Sequence, residues 1–414
     1  MIMSSLIADL FRSKMNTLKD PRMKKEAEPD YSYPTGFLTF DFMNGTVVHV
    51  KKDDMQFSYN SIGIVDGSMV TVIGRSSSGK TTWCVQCAGN IIRPYKSSCI
   101  WMDSVEGGIV DTRAQSLLKM YGEEFKEKWI PRNTGVTAEN FYQRIKYVHD
   151  LKLESADEIT YNTGTYTPDG DPIYKMEPSV YILDSLAMLA PGKLTEEEEL
   201  SGQMSVTSAA KTNTTVFKRI IPMLKAANII LFVINHITED VQINAFARTQ
   251  GQLSYLKPGE RLGGGRAAIY VTNLLVRLDD HSKLKSDEGL GIDGTLVDFT
   301  LLKSRTAAVG QKTTLVFNYN GGFDPDLSLY YFLKTRKLVN GAGIGLYIGD
   351  RNDLKFSQKN FKNKLQTNEE FRNVFMQYCL QELATLIHDP MAEEKESTFD
   401  ITAALLNQIQ MQAA

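Results

Sequence analysis

Eight consecutive residues, Gly74-Arg75-Ser76-Ser77-Ser78-Gly79-Lys80-Thr81, follow the spacing G-x-x-x-x-G-K-[ST], with Thr82 next in line. That order suits the capture of a phosphate chain. The glycines permit a tight turn whose backbone N–H groups converge on one point. Lys80 can reach the β- and γ-phosphates, and the Thr81 hydroxyl can ligate Mg²⁺. An apolar run, Met69–Ile73, precedes the loop, and a helical stretch opening with Thr81-Thr82-Trp83 follows it. A helix N-terminus at that place adds partial positive charge where the phosphates would lie. The segment predicts binding of a nucleoside triphosphate.

Triphosphate hydrolysis further needs a carboxylate near the metal, a group to orient water, and cations for the developing charge. Val180-Tyr181-Ile182-Leu183-Asp184-Ser185 is an apolar strand ending in a carboxylate, which makes Asp184 the metal candidate. Ser98-Cys99-Ile100-Trp101-Met102-Asp103-Ser104-Val105-Glu106 offers two carboxylates at a strand end; Glu106 has the longer reach, and Asp103 is the alternative. A third strand, Ile229–Ile234, ends in Asn235-His236, and His236 could donate a hydrogen bond to the γ-phosphate. Lys303-Ser304-Arg305 ends the strand Leu296–Leu302. Residues i and i+2 of an extended segment point the same way, so both cations suit a phosphate, within one chain or across a subunit boundary.

These groups require a scaffold of strands ending on one side. Strands are expected at Met69–Ile73, Ser98–Met102, Val180–Leu183, Ile229–Ile234, Leu274–Leu278, Leu296–Leu302 and Thr313–Tyr319, with amphipathic helices at Thr137–His149 and Thr214–Ala227, the latter kinked at Pro222. Near-continuous apolar strands between such helices predict an α/β fold with a mostly parallel sheet, covered on both faces and extended antiparallel at one edge. Val47–Ile64 and Ile159–Met176 look like excursions, the second a hairpin around Pro168-Asp169-Gly170. Thr367-x-x-Glu370 reads as a capping box that opens a helix after Lys355, Lys359, Lys362 and Lys364. The expected division is an N-terminal amphipathic helix and linker over 1–33, a core over 34–335, a small C-terminal α/β domain over 336–390 and a mobile tail over 391–414.

Bulk composition sets limits. A net charge of −3 over 414 residues confines any nucleic-acid surface to a local patch. No run approaches the ~18 apolar residues of a membrane span. Asp9, Arg12 and Lys14 interrupt Met1–Leu18, so no signal peptide is expected there. Cys84 and Cys87 share a helix face, which predicts buried reduced thiols and a cytoplasmic setting.

Together these motifs resemble the RecA family of recombinases, and more closely its phage UvsX-like branch, from about Thr35 to Leu338. Thr35-Gly36-Phe37-Leu38-Thr39-Phe40-Asp41 is similar to the family's entry into its core, and Ile234-Asn235-His236 to its γ-phosphate-sensing position. The resemblance implies a RecA-like P-loop core acting as a DNA-dependent ATPase, with ATP and Mg²⁺ as cofactors. Such a protein forms helical filaments on single-stranded DNA, pairs it with homologous duplex and exchanges strands. Glu106, Lys80 and His236 are implied in catalysis, and Lys303 and Arg305 reach the neighbour's ATP. DNA contacts are implied for loops near 190–211 and 238–266: Gln203, Met204 and Lys211 in the first, and Phe246, Arg248, Tyr255, Lys257, Arg261, Gly263, Gly264, Gly265 and Arg266 in the second. Cations interleaved with aromatics suit stacking on single strands. Glu196–Glu199 read as a solvated rim. The N-terminal helix is implied to pack on the adjacent protomer, with a loader and single-strand-binding proteins as further partners and a phage-infected bacterial cytoplasm as the setting. Two other readings use the same motifs: a DnaB-like hexameric helicase and a RecA-fold ATP-dependent regulator. Only residues 1–33 precede the core and a domain follows it, which favours the recombinase over the helicase.

Overall fold

Six apolar segments form the parallel centre of one ten-stranded sheet. In chain order the sheet's strands are β1 (Met69–Gly74), β2 (Ile100–Ser104), β3 (Trp129–Arg132), β4 (Ser179–Asp184), β5 (Ile229–Glu239), β6 (Glu260–Leu262), β7 (Leu274–Lys285), β8 (Ile292–Lys303), β9 (Lys312–Asn318) and β10 (Gly322–Asp324). Their spatial order is β10-β9-β8-β7-β1-β5-β4-β2-β3, and β6 pairs with β5 off that path. Strands β7, β1, β5, β4, β2 and β3 run parallel, whereas β8, β9 and β10 are antiparallel. The computed structural model describes residues 29–192, 202–239, 256–263, 267–285 and 292–392. Met1–Tyr31 and Ser32–Ala414 are separate compact units, and the sheet belongs to the second.

Every residue of β1 and β4 is buried, as strands covered on both faces require. Alternation sends Leu231 and Val233 of β5 to one face, where they pack with Phe141, Ile145 and Val148 of α2 (Ala138–Glu154) and with Phe217, Ile220 and Leu224 of α3 (Gly202–Ala226). Phe232 turns to the other face and meets Trp83 of α1 (Lys80–Ile92), with ring centroids 5.9 Å apart. Phe40 and Phe299 close on the same indole at 4.9 and 5.2 Å. Trp83→Ala should therefore cost about 3–5 kcal/mol. Urea unfolding checks this: the midpoint should fall with the slope unchanged, and a loss under about 1 kcal/mol would contradict the packing.

Register explains why chemistry collects at one rim. Asp184 of β4 pairs with Ile234 of β5 and Ser104 of β2, while His236 of β5 pairs with Gly74 of β1. Asp184 and Ser104 thus end β4 and β2 at the level of Ile234, two residues before the His236–Gly74 level, so polar residues of four neighbouring strands gather at one rim. Strand β8 runs the opposite way: Lys303 pairs with Leu275, which pairs in turn with Thr71. Its terminal cations consequently leave from the other end of the sheet.

Several details depart from the expectations. Helix α3 starts at Gly202, twelve residues ahead of the expected Thr214, and includes Pro222 on its way to Ala226. The edge strand β3 has no counterpart among the expected strands; it is short and holds Pro131, which an edge tolerates. Helix α5 (Glu369–Leu383) is capped by Asn368, whose side chain accepts from the Phe371 N–H, and Thr367 instead ends the preceding helix Phe361–Thr367. The capping residue therefore lies one place after the Thr367 of the expected box. Phe356, Phe361, Phe371 and Phe375 share one cluster with Leu329, Tyr330 and Leu333 of α4 (Pro325–Thr335) and with Phe42.

Both excursions are hairpins, Thr46–Lys52 with Met55–Ser61 and Thr160–Tyr166 with Pro172–Met176. They pin each other: the Tyr59 hydroxyl donates to the Tyr166 carbonyl at 2.7 Å, and the Lys51 N–H to the Pro168 carbonyl at 2.9 Å. Among the described residues no helix is long and apolar enough to cross a membrane.

Candidate functional site

The loop Gly74–Thr81 leaves β1 and turns into α1 at that rim of the sheet. Glycine is required twice on this path. A Cβ on Gly74 would lie 2.6 Å from the Leu278 carbonyl oxygen, and Gly79, at φ +85°, caps α1 with the Phe323 ring 2.9 Å from where a Cβ would stand. The Lys80 ammonium donates to the Gly74 and Arg75 carbonyls at 3.1 and 2.7 Å, so the loop closes on its own lysine. Arg75 reaches outward instead, its guanidinium 3.2 Å from the Glu239 carboxylate in an exposed pair worth little to stability.

The loop and the strand ends converge on one cavity of about 430 Å³, lined by Ser76, Ser77, Gly79, Lys80, Thr81, Thr82, Glu106, Asp184, His236, Phe317 and Tyr319. The Thr81 hydroxyl donates to Asp184 Oδ2 at 2.6 Å, and the Ser185 hydroxyl to Glu106 Oε1 at 2.6 Å. His236 Nε2 lies 3.3 Å from that same Glu106 oxygen without the alignment of a hydrogen bond. Burial pushes the Asp184 carboxyl up from its ordinary value, and Glu106 adds to the effect against the Thr81 hydrogen bond.

This donor set fits a magnesium-bound triphosphate. Thr81 and Asp184 are hard oxygen ligands side by side, Lys80 and the loop N–H groups supply positive charge, and the volume suits a nucleotide.

Glu106 lines the cavity, whereas Asp103 does not. Asp103 is buried against Arg144 at 2.6 Å and the Tyr181 hydroxyl at 2.8 Å. Lys303 and Arg305 are also absent from the cavity wall. The Lys303 ammonium donates to the Ile269 and Tyr270 carbonyls at 3.2 and 2.8 Å, and burial, then the nearby Arg305 charge, lowers its pKa. The two cations are thus neighbours, and Arg305 is exposed. At ~3.3 Å of strand rise per residue, the three residues from Thr71 to Gly74 place them roughly 10 Å or more from their own phosphate loop.

Phe317 and Tyr319 are cavity residues that motif reading passed over. Their rings meet edge-on at 5.8 Å, and Arg113 donates to the Tyr319 and Asn320 carbonyls just behind them. The available signal was the alternate spacing of two aromatics on a strand, followed by the turn residues Asn320-Gly321-Gly322.

The expected DNA contacts are divided. Lys211 is exposed on α3, which also carries Gln203 and Met204, whose side chains lie outside the described residues. Strand β6 pairs Leu262, Arg261 and Glu260 with Ile237, Thr238 and Glu239, so the strand bearing His236 runs on into the stem of the second loop. Asn235 Nδ2 donates to the Gly263 carbonyl at 2.9 Å while its Oδ1 accepts from the His236 N–H. Buried Arg277 grips Glu260 with two bonds of 2.7 and 2.8 Å, and the Lys257 ammonium lies 3.3 Å from Asp279. Phe246, Arg248, Tyr255, Gly264, Gly265 and Arg266 fall outside the described residues.

Burial lowers the Lys80 pKa to about 8, against the opposing pull of Asp184. In the free protein this ammonium therefore loses its proton as pH rises through about 8, whereas an unfolded lysine keeps it to about 10.4. Between those values the unfolded chain binds more protons, so this group makes the fold relatively more stable as pH rises. Anion binding moves the other way. Affinity for a fluorescent triphosphate analogue should fall as pH rises above about 8, and Lys80→Arg should flatten the profile; a flat wild-type profile would remove Lys80 from the anion site.

No family model matches the chain. Among the curated proteins similar to it are two concerned, by name, with repair. The "Recombination and repair protein" of Enterobacteria phage T4 is 23% identical over 265 residues, which cover 64% of this chain and 56% of that protein. The "DNA repair protein RAD51 homolog 4" of Bos taurus is 24% identical over 218 residues, covering 52% of this chain and 56% of that protein. The chain spans about half the length of these curated relatives.

Proposed function

We propose that this chain is a RecA-like ATPase of DNA recombination and repair, of the phage UvsX-like kind, which assembles on single-stranded DNA and promotes pairing and strand exchange with homologous duplex. The observation that carries the ATPase reading is the convergence of Lys80, Thr81, Asp184, Glu106 and His236 around one cavity at the rim shared by four parallel strands. The names of the two relatives support the DNA part.

Each residue takes a role from its place. The loop amides and Lys80 bind the phosphates, and Thr81 with Asp184 would hold Mg²⁺, which when bound neutralises phosphate charge. Glu106, oriented by Ser185, accepts a hydrogen bond from water on the γ side of the cavity. His236 meets the terminal phosphate, and Asn235 carries its position to Gly263 in the second loop. Phe317 and Tyr319 provide an apolar wall for the nucleoside. Lys303 and Arg305, remote from their own loop, serve a neighbouring subunit's nucleotide, so hydrolysis belongs to an assembly. The N-terminal segment 1–33 joins neighbours, and the segments near 190–211, which runs into α3, and 238–266 face DNA.

ATP turnover measured with and without single-stranded DNA tests this reading. Turnover should rise on DNA at low salt, and the stimulation should weaken as salt displaces phosphate contacts. Turnover indifferent to DNA at every salt concentration would refute the DNA-dependent reading.

A further inference from the structure

We propose that Glu106, Asp184 and His236 form a three-ligand site for a borderline divalent cation of the zinc and cobalt class. The nucleotide-free protein would take this ion in place of the terminal phosphate, so that it holds the nucleotide site inactive. The inactivation rests on the ATPase reading; the binding of the ion does not.

One ligand atom from each of the three residues lies within 4.8 Å of the others. The His236 Nε2–Glu106 Oε1 separation is 3.3 Å. Metal–ligand bonds of about 2.0–2.1 Å in a tetrahedron give an edge of roughly 3.3 Å, so this pair already stands at the spacing of two ligands on one ion. His236 Nε2 is buried and makes no aligned hydrogen bond among the described residues. In its unprotonated form this nitrogen offers a lone pair beside two carboxylates, where a cation serves all three.

The flanking hydrogen bonds also suit coordination. Ser185 donates to Glu106 Oε1 and Thr81 to Asp184 Oδ2, which orients both carboxylates as outer-shell donors orient metal ligands. All three residues line the cavity, which leaves room for a further ligand from solvent. An imidazole among the donors shifts preference from Mg²⁺, which takes oxygen, towards Zn²⁺, Co²⁺ and Ni²⁺. An all-oxygen set at these positions would lack that preference. The two ions therefore use the site differently: Mg²⁺ beside Thr81 with the phosphates, the borderline ion on the His236 side without them.

The test is a Co²⁺ titration of the full nucleotide-free chain, read by visible absorption and repeated with Zn²⁺ as competitor. Wild-type protein should bind one Co²⁺ with the intense bands of a four-coordinate ion, displaced by Zn²⁺. His236→Gln should lose affinity by at least about 100-fold, beyond the 10–100-fold typical of outer-shell partners. Ser185→Ala should lose about 10–100-fold as such a partner, with circular dichroism confirming that both variants fold. Absent bands, or affinities equal in wild type and His236→Gln, would overturn the site. Separately, Mg-ATP turnover under buffered free Zn²⁺ should fall in wild type and resist Zn²⁺ more in Ser185→Ala. Failure of turnover under every condition would sink the ATPase reading while leaving the Co²⁺ result standing.

Discussion

Lys303→Ala and Arg305→Ala should each reduce ATP turnover by about 10³-fold or more, the scale on which a transition-state cation acts, while nucleotide binding survives. The separation follows from topology. Strand β8 is antiparallel to the parallel set, so its last residues leave the sheet at the end away from the phosphate loop. Within one chain neither cation lines the cavity, and removing them leaves Lys80, Thr81 and Asp184 in place. Lys303 is additionally tethered to the Ile269 and Tyr270 carbonyls, which holds its ammonium beside Arg305. Binding of a fluorescent analogue and steady-state turnover, measured on the same preparations, check this outcome. Loss of binding equal to loss of turnover would place the cations in their own subunit's site.

Glu106→Gln should lower kcat by about 10²–10⁴-fold with little change in nucleotide affinity, because only the proton-accepting capacity is removed. The amide keeps the size of the carboxylate and can still accept from the Ser185 hydroxyl, so the cavity wall should persist. Asp103→Asn is the informative control. Asp103 sits buried between Arg144 and Tyr181, outside the cavity, so its loss should appear as lower stability with kcat largely retained. Single-turnover hydrolysis separates the two cases. A normal chemical step in Glu106→Gln would remove the residue from the reaction.

Much of this site was legible because its parts are local. The loop Gly74–Thr81 declares itself within eight residues, Asp184 ends an apolar strand, and His236 follows an apolar run whose strand type is plain from composition. Parallel order then brings such ends together without further information. What escaped was long-range. Choosing between Asp103 and Glu106 needed the Arg144 contact, which comes from a helix some forty residues on. Phe317 and Tyr319 become cavity residues only when β9 and β10 fold back beside α1, as the Gly79–Phe323 approach shows. Strand β3 is four residues long with a proline, too little pattern for an alternation to register. The helix cap at Asn368 in place of Thr367 was decided by backbone direction at a tight helix–helix junction. Whether Lys303 and Arg305 stand at their own chain's cavity could not be read from their spacing; strand β8, running backwards, carries them away from it.

In the proposed function, nucleotide joins subunits into an open assembly on DNA. Electron microscopy of the full chain with single-stranded DNA and a non-hydrolysable ATP analogue tests it most directly. Open helical filaments that need both ligands and are disrupted by Arg305→Ala are expected; closed rings, or particles unchanged by nucleotide and DNA, would overturn the assembly.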